Sequence, residues 1–241
     1  MNVGRVKEDT KFLICENKLV YVLLMMSAGM MGAYTFCVRG GVFCNAQTAN
    51  IVIMSIAFGK GNWLDGFYYL IPIGAYLLGA IISEALPSPV KSKGFLRWDT
   101  YLIAIEWATL FLIGFIPVSL PHQIVQVAIN FIASMQYNTF RQAEGIPMAT
   151  TFCTNHVRQV GIAIAKVVRK NDEAAARRGK THLLMLASFL SGGILVSFAS
   201  QFLVEKAIWL ALVPLSIILI SLIYADLTVE RDCFDQKPCG H

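Results

Sequence analysis

Apolar residues fall into six long runs, at 19–38, 67–82, 101–120, 124–140, 183–204 and 207–225. A hydrocarbon layer about 30 Å thick takes about 20 residues of helix at 1.5 Å each. Six recurrences near that length predict a bundle of helices whose solvent is lipid. The run at 67–82 is short, and tilt with the flanking Trp63, Tyr68 and Tyr69 makes up the span.

Two further segments, 42–58 and 147–168, follow a different pattern. Each opens on small and polar residues and continues as an apolar helix. The openings read Asn45-Ala46-Gln47-Thr48-Ala49-Asn50 and Thr150-Thr151-Phe152-Cys153-Thr154-Asn155-His156, and the second segment also carries Arg158, Gln159 and Lys166. In lipid each unsatisfied polar group costs several kcal/mol, so these residues are expected to face protein or water.

The 20 Lys and Arg residues bear on topology. If both polar segments dip in and return, residues 1–18, the 91–97 loop, Arg141, the 169–180 loop and the tail share one side. Arg39, Lys60 and Lys206 are then left on the other. Cytoplasmic loops hold the excess of Lys and Arg, which favours six crossings with both termini cytoplasmic. Eight crossings stay open as the alternative, because the margin rests on the charges of the 91–97 loop. The expected fold is therefore all-α, a polytopic membrane helical bundle of six full spans plus two polar re-entrant or half-length helices. It forms one integral membrane domain, 1–241: a cytoplasmic segment 1–18, a first repeat 19–120, a second repeat 121–225 and a cytoplasmic tail 226–241.

With six spans the halves match as span, polar segment, span, span, and run in opposite directions. Such inverted repeats are a common plan in transporters. The local sequence agrees: Tyr34-Thr35-Phe36, Arg39-Gly40-Gly41 and Thr48-Ala49-Asn50 are echoed by Asn138-Thr139-Phe140-Arg141, Gly145 and Thr154-Asn155-His156.

Composition narrows the function classes. Hydrophobic residues make up 56% of the chain and charged ones 15%, against roughly 25% charged in soluble domains. The net charge of +5 resides in the segments between apolar runs, where it orients a membrane protein, so no nucleic-acid partner is expected. The six cysteines include no CxxC pair, which argues against a disulfide framework. Four scattered histidines, with no HExxH, GxSxG or Walker loop, give no enzyme signature, and no cofactor or metal is expected. Cys233, Asp235, Cys239 and His241 read better as a frayed tail than as a metal site. No cleavable signal peptide is apparent.

The two polar segments carry a family resemblance. Residues 33–50, from Ala33-Tyr34-Thr35-Phe36 through Arg39-Gly40-Gly41 to Thr48-Ala49-Asn50, resemble the first signature of the YoaK-type bacterial membrane proteins. Met135-Gln136, Phe140-Arg141 and Ala149-Thr150-Thr151-Phe152-Cys153-Thr154-Asn155-His156 resemble the second. The likeness covers nearly the whole chain. It implies a bacterial cytoplasmic-membrane location and no established activity. The family's Thr-Gly-Asn reads Thr-Ala-Asn and Thr-Asn-His here, and Gly32 stands where the family has Asp. The lost glycines remove two backbone positions open to positive φ or close approach.

The candidate functional residues follow from these segments. Thr48 and Asn50, with Thr154, Asn155 and His156, mark the starts of two half-helices, where unpaired N–H groups carry about half a positive charge. Thr and Asn are favoured caps there. Two such starts meeting near the midplane would bind a polar or anionic small solute; the alternative is that these groups merely cap and join packed helices. Arg39 and Arg141 read either as anion-attracting groups or as boundary residues whose heads reach water. Arg158 calls for water or a carboxylate. Glu106 lies well inside an apolar run, as a proton-coupling carboxylate or as an Arg partner. Gln126, Asn130, Ser134 and Asn138 give one helix a polar face, which either lines a path or bonds helices together. The expectation is a small transporter or channel in the lipid bilayer, with a non-catalytic scaffold or sensor as the alternative and an embedded enzyme further behind. A bundle this small is compatible with a homodimer.

Overall fold

The computed structural model describes residues 12–86 and 96–231. Lys91, Lys93 and the tail group of Cys233, Asp235, Cys239 and His241 lie outside them. The described chain is helical apart from one small antiparallel ladder. The helices are α1 (Lys18–Val38), α2 (Gln47–Gly59), α3 (Trp63–Tyr68), α4 (Leu70–Ala85), α5 (Trp98–Ile113), α6 (His122–Thr139), α7 (Thr154–Lys170), α8 (Glu173–Leu203) and α9 (Leu212–Tyr224). The ladder pairs β1 (Gln142–Ala143) with β2 (Ile146–Pro147).

Three helical stretches, Lys18–Val38, Trp63–Ala85 and Glu173–Val229, are long and apolar enough to cross a membrane by length and composition. With the exposed Leu77, Ile81, Leu190, Ile194, Phe198 and Ile220 on the outside of the bundle, this is an all-α bundle of the membrane type. Most of α1 is buried, which makes it the central helix.

Side-chain contacts fix the direction of each element. Near Lys18, Glu144 accepts from the Lys18 amide and Gln142 N–H donates to the Tyr21 hydroxyl. Near Val38, Arg39 bonds the carbonyls of Ile116 and Pro117, just past the end of α5. Trp98 at the start of α5 donates to Thr139 at the end of α6, and Thr100 bonds Asp226 beyond α9. Thus α1, α5 and α8 run from the Lys18 end toward the Val38 end, whereas α3–α4, α6 and α9 run back.

The two polar segments do neither. Each doubles back on the helix that follows it. Phe58 of α2 fills the space over Gly66 of α3, and Ala163 of α7 sits over Gly179 of α8. At about 1.5 Å per residue, the 13 residues of α2 fall well short of a hydrocarbon layer.

Helix pairing repeats between the halves. The closest partner of α1 is α8 and that of α6 is α4, while α1 also packs on α9 and α6 on α5. Both main crossings run through glycine. Any Cβ on Gly29 or Gly192 would overlap the carbonyl of Phe189 or Met26, and one on Gly79 would overlap Phe131 and Ser134. Small residues let helix backbones approach where lipid supplies no hydrophobic drive.

Several boundaries differ from the apolar pattern. The run at 101–120 stops as helix at Ile113, four residues before Pro117, which has no N–H to give the Ile113 carbonyl; Arg39 then bonds the carbonyls of Ile116 and Pro117. The run at 183–204 starts ten residues early, at Glu173, where Asp172 caps the Ala175 amide at 2.9 Å. The 169–180 loop is therefore the tip of the α7–α8 hairpin, turning through Asn171 at φ 49°. Residues 204–211 form a 3-10 turn, entered through Val204 at φ 47°, that reverses the chain into α9.

Candidate functional site

The first half-helix is entered through Gly40 and Gly41, both in the left-handed region at φ 81° and 74°. They turn the chain back into the bundle. The Cys44 amide donates to Thr35 Oγ1, and Asn45 Nδ2 donates to the carbonyl of Ala28, in the middle of α1. The Asn45 amide lies over Gly32, where a Cβ would stand 2.9 Å from Nδ2, so the bare backbone of Gly32 makes room for it.

Asn50 is fully buried and reaches back seven residues. Its Nδ2 donates to the Phe43 carbonyl at 2.7 Å and its Oδ1 accepts the Phe43 amide at 3.1 Å. Gln47 Oε1 also accepts from Asn50 Nδ2, and Gln47 Nε2 donates to Asn130 Oδ1 on α6 at 2.8 Å. Asn130 donates onward to the Gln126 carbonyl; Gln126 Nε2 donates to the Arg39 carbonyl and its Oε1 accepts from the Tyr68 hydroxyl. The polar face of α6 is therefore hydrogen-bonded along its length. At its far end Asn138 Nδ2 donates to Ser83 Oγ on α4. This arrangement joins α2, α3 and α4 to α6.

The second half-helix repeats the first with different side chains. After the ladder, which turns through Gly145 at φ 78°, the Met148 amide donates to the Arg141 carbonyl. Buried His156 then reaches back seven residues, its Nε2 lying 2.6 Å from the Ala149 carbonyl. Asn50 with Phe43 and His156 with Ala149 make the same contact at matching places in the two halves. His156 Nδ1 lies 2.9 Å from Nδ1 of His182 on α8. Next to it the Thr150 hydroxyl is buried without a hydrogen-bond partner. Tyr76 of α4 interacts with Thr151, Tyr137 and Cys44 and so stands between the two half-helix approaches.

The expected threonine caps are absent. The N-caps are Ala46 and Cys153, neither with a side-chain cap bond. Thr48 and Thr154 lie just inside their helices and are exposed, and Asn155 is half-buried. Asn50 and His156 are committed instead to the loop backbone behind them. The first-turn N–H groups of both helices thus have no side-chain acceptor from the cap.

The charged candidates separate. Arg39 is fully buried; it donates to the Tyr34 hydroxyl at 2.9 Å and to the carbonyls of Ile116 and Pro117 at 2.5 and 3.3 Å. Such a side chain does not reach water as a boundary residue does. Arg141 pairs with Glu84 at 2.9 Å near the Lys18 end, and Arg158 is exposed, bonded to Asn155 Oδ1 at 3.0 Å. Glu106 of α5 is fully buried, and neither carboxyl oxygen has a hydrogen-bond partner. It lies within electrostatic reach of Cys44, at the approach to α2. A separate open cleft of about 700 Å³ at the Val38 end is lined by Cys37, His122, Ser197, Ser200 and Gln201, among others.

The family described as "Protein of unknown function (DUF1275)" matches residues 20–221. The chain belongs to this family. It is also similar to the UPF0700 transmembrane protein YoaK of Bacillus subtilis (strain 168). That protein is 21% identical over 196 residues, which cover 79% of this chain and 87% of YoaK. No solved structure matches this chain. The chain is thus a membrane protein of the YoaK type.

The part matched to the DUF1275 family holds both half-helices, Glu106 and the α1–α8 and α4–α6 crossings. Beyond it lies part of a polar cluster at the Lys18 end that sequence reasoning missed. Asp226 accepts from the Arg97 amide and the Thr100 hydroxyl, Asp99 pairs with Arg97 at 3.4 Å, and Glu230 accepts the Ile14 amide at 2.6 Å. Burial pushes the Glu230 carboxyl above its ordinary range, against the lowering effect of that amide. His182 was missed as well. These groups meet from remote parts of the chain, and no local spacing announces them.

Proposed function

We propose that this chain is a small transporter or channel passing a polar or anionic small solute between the two half-helix starts. The carrying observation is the matched pair Asn50–Phe43 and His156–Ala149, with partnerless Thr150 and Glu106 buried beside the approaches. Polar groups without partners are expensive in a membrane-embedded core and mark solute or ion pathways. Helix starts without side-chain caps present free N–H groups to a solute that accepts hydrogen bonds.

The same reading takes the six alternating passes as six crossings of the bacterial cytoplasmic membrane, with α2 and α7 re-entrant, both termini cytoplasmic, and the halves related as an inverted repeat. The exchange of α1 with α6, α2 with α7, α3–α4 with α8 and α5 with α9 maps each main packing pair onto its counterpart, which supports it. Reporter fusions after Lys60 and after Lys93 test the crossings: opposite sides, with Lys93 inside, are expected.

The passage is tested by hydrophilic thiol reagents on single cysteines at Thr48 and Thr154 in a background without native cysteines. Labelling at both sites in membranes is expected. Protection at both would mean that these exposed positions face lipid, and would overturn the passage.

A further inference from the structure

The contact between His156 and His182 has consequences beyond packing. The Ala149 oxygen can only accept a hydrogen bond, so His156 Nε2 carries a proton. Neutral His156 therefore turns a lone pair at Nδ1 toward His182, 2.9 Å away, and His182 Nδ1 must be the donor. That leaves the lone pair of the dyad on His182 Nε2. A proton arriving there makes His182 an imidazolium without breaking either hydrogen bond. Transfer along the Nδ1–H···Nδ1 bond then places the charge on His156, with His182 neutral and protonated at Nε2. A second proton has no place, because two N–H groups would then point at each other across 2.9 Å.

No group of three or more His, Cys, Asp or Glu side chains able to hold a metal occurs among the described residues. Of the elements packed here, α7 has no carboxylate and α1 none. Arg178, one turn earlier on α8, is a charged side chain acting on His182. Glu173 and Asp172 lie at the far tip of the hairpin. The matching position in the first half is Asn50, which makes the same seven-residue contact but cannot take a proton. The two half-helices thus share an architecture and differ in this one chemical capacity.

We infer that His156 and His182 form a single proton-binding site at the start of α7, holding one proton shared between two rings. If solute passes between the half-helix starts, as proposed above, this site is where a proton gradient would act on the passage.

The test uses the full chain in lipid bilayers with ¹⁵N-labelled histidine. A through-hydrogen-bond correlation between the Nδ1 atoms of His156 and His182 is expected, and on acidification the two rings should change together as one proton enters. His156→Asn copies Asn50, so it should keep the fold, abolish the correlation and leave His182 to titrate alone. In parallel, the thiol-labelling rate at Thr154→Cys, normalised to that at Thr48→Cys, should shift over the same pH range. It should be flat in the His156→Asn background. Independent titration of the two rings, uptake of two protons, or no uptake while the protein stays folded would each overturn the shared site. A flat labelling ratio in the otherwise native chain would overturn its action on the passage. Neither readout depends on finding the solute, and protection of both cysteines sinks the passage while leaving the resonance result standing.

Discussion

Gly29 of α1 lies directly against the carbonyl of Phe189 on α8, with no room for a Cβ between them. Gly192 meets Met26 in the same crossing, and Gly79 meets Phe131 in the equivalent crossing of α4 with α6. Backbone cannot step aside as a flexible side chain can. Gly29→Ala and Gly79→Ala should each cost about 1–3 kcal/mol through overpacking. Gly74→Ala, into open space on α4, should be neutral or stabilise by up to about 1 kcal/mol. Thermal unfolding of the three purified variants orders them; equal midpoints would contradict the packing described.

Arg39 holds the chain between α5 and α6 by its carbonyls. Hydrogen bonds to a charged group contribute about 1.5–3 kcal/mol each, so Arg39→Gln should lower stability by roughly 3 kcal/mol or more. Arg39→Lys keeps the charge but not the planar fork that serves Tyr34, Ile116 and Pro117 together. It should recover only part of the loss. Full recovery by Lys in a denaturation series would show that charge alone matters here.

The helices and the two unusual segments were legible in the sequence because both are local patterns: apolar length for one, an abrupt polar opening for the other. The Thr48 and Thr154 caps were misjudged for a physical reason. Capping preference describes a helix start in water, whereas here Asn50 and His156 satisfy the loop backbone behind the helix. The α6 face was legible as polar, but its partners Gln47, Tyr68 and Ser83 come from three other elements, so its bonding could not be read from spacing. Glu106 stood out early because one carboxyl in an apolar run is conspicuous. His182 did not, since its meaning depends wholly on His156, 26 residues away.

Glu230 makes stability depend on pH. Its carboxyl is held above the ordinary value of 4.5 by burial, so the folded chain binds this proton more tightly than the unfolded one. The resulting stabilisation is complete below about 4.5 and fades as pH rises through the raised folded value. Gln stays neutral at every pH, so the native chain should lose melting temperature relative to Glu230→Gln as pH climbs through that region. A native chain that gains on the variant as pH rises would have the opposite sign and refute the assignment.

Glu106 is the sharpest conflict between stability and any purely structural role. A buried polar group whose hydrogen bonds go unmade costs about 1–3 kcal/mol, and neither carboxyl oxygen of Glu106 has a hydrogen-bond partner. Gln or Met of similar volume would remove the ionisable group from this site. Glu106→Gln and Glu106→Met should fold and melt at the same temperature as the native chain or higher. If instead both variants unfold more readily, Glu106 supports the fold through a bonded partner, and it drops out of the passage. If they are stable, and water-accessible labelling at Thr48→Cys changes while Gly74→Ala leaves it alone, Glu106 belongs to the polar approach of the first half-helix.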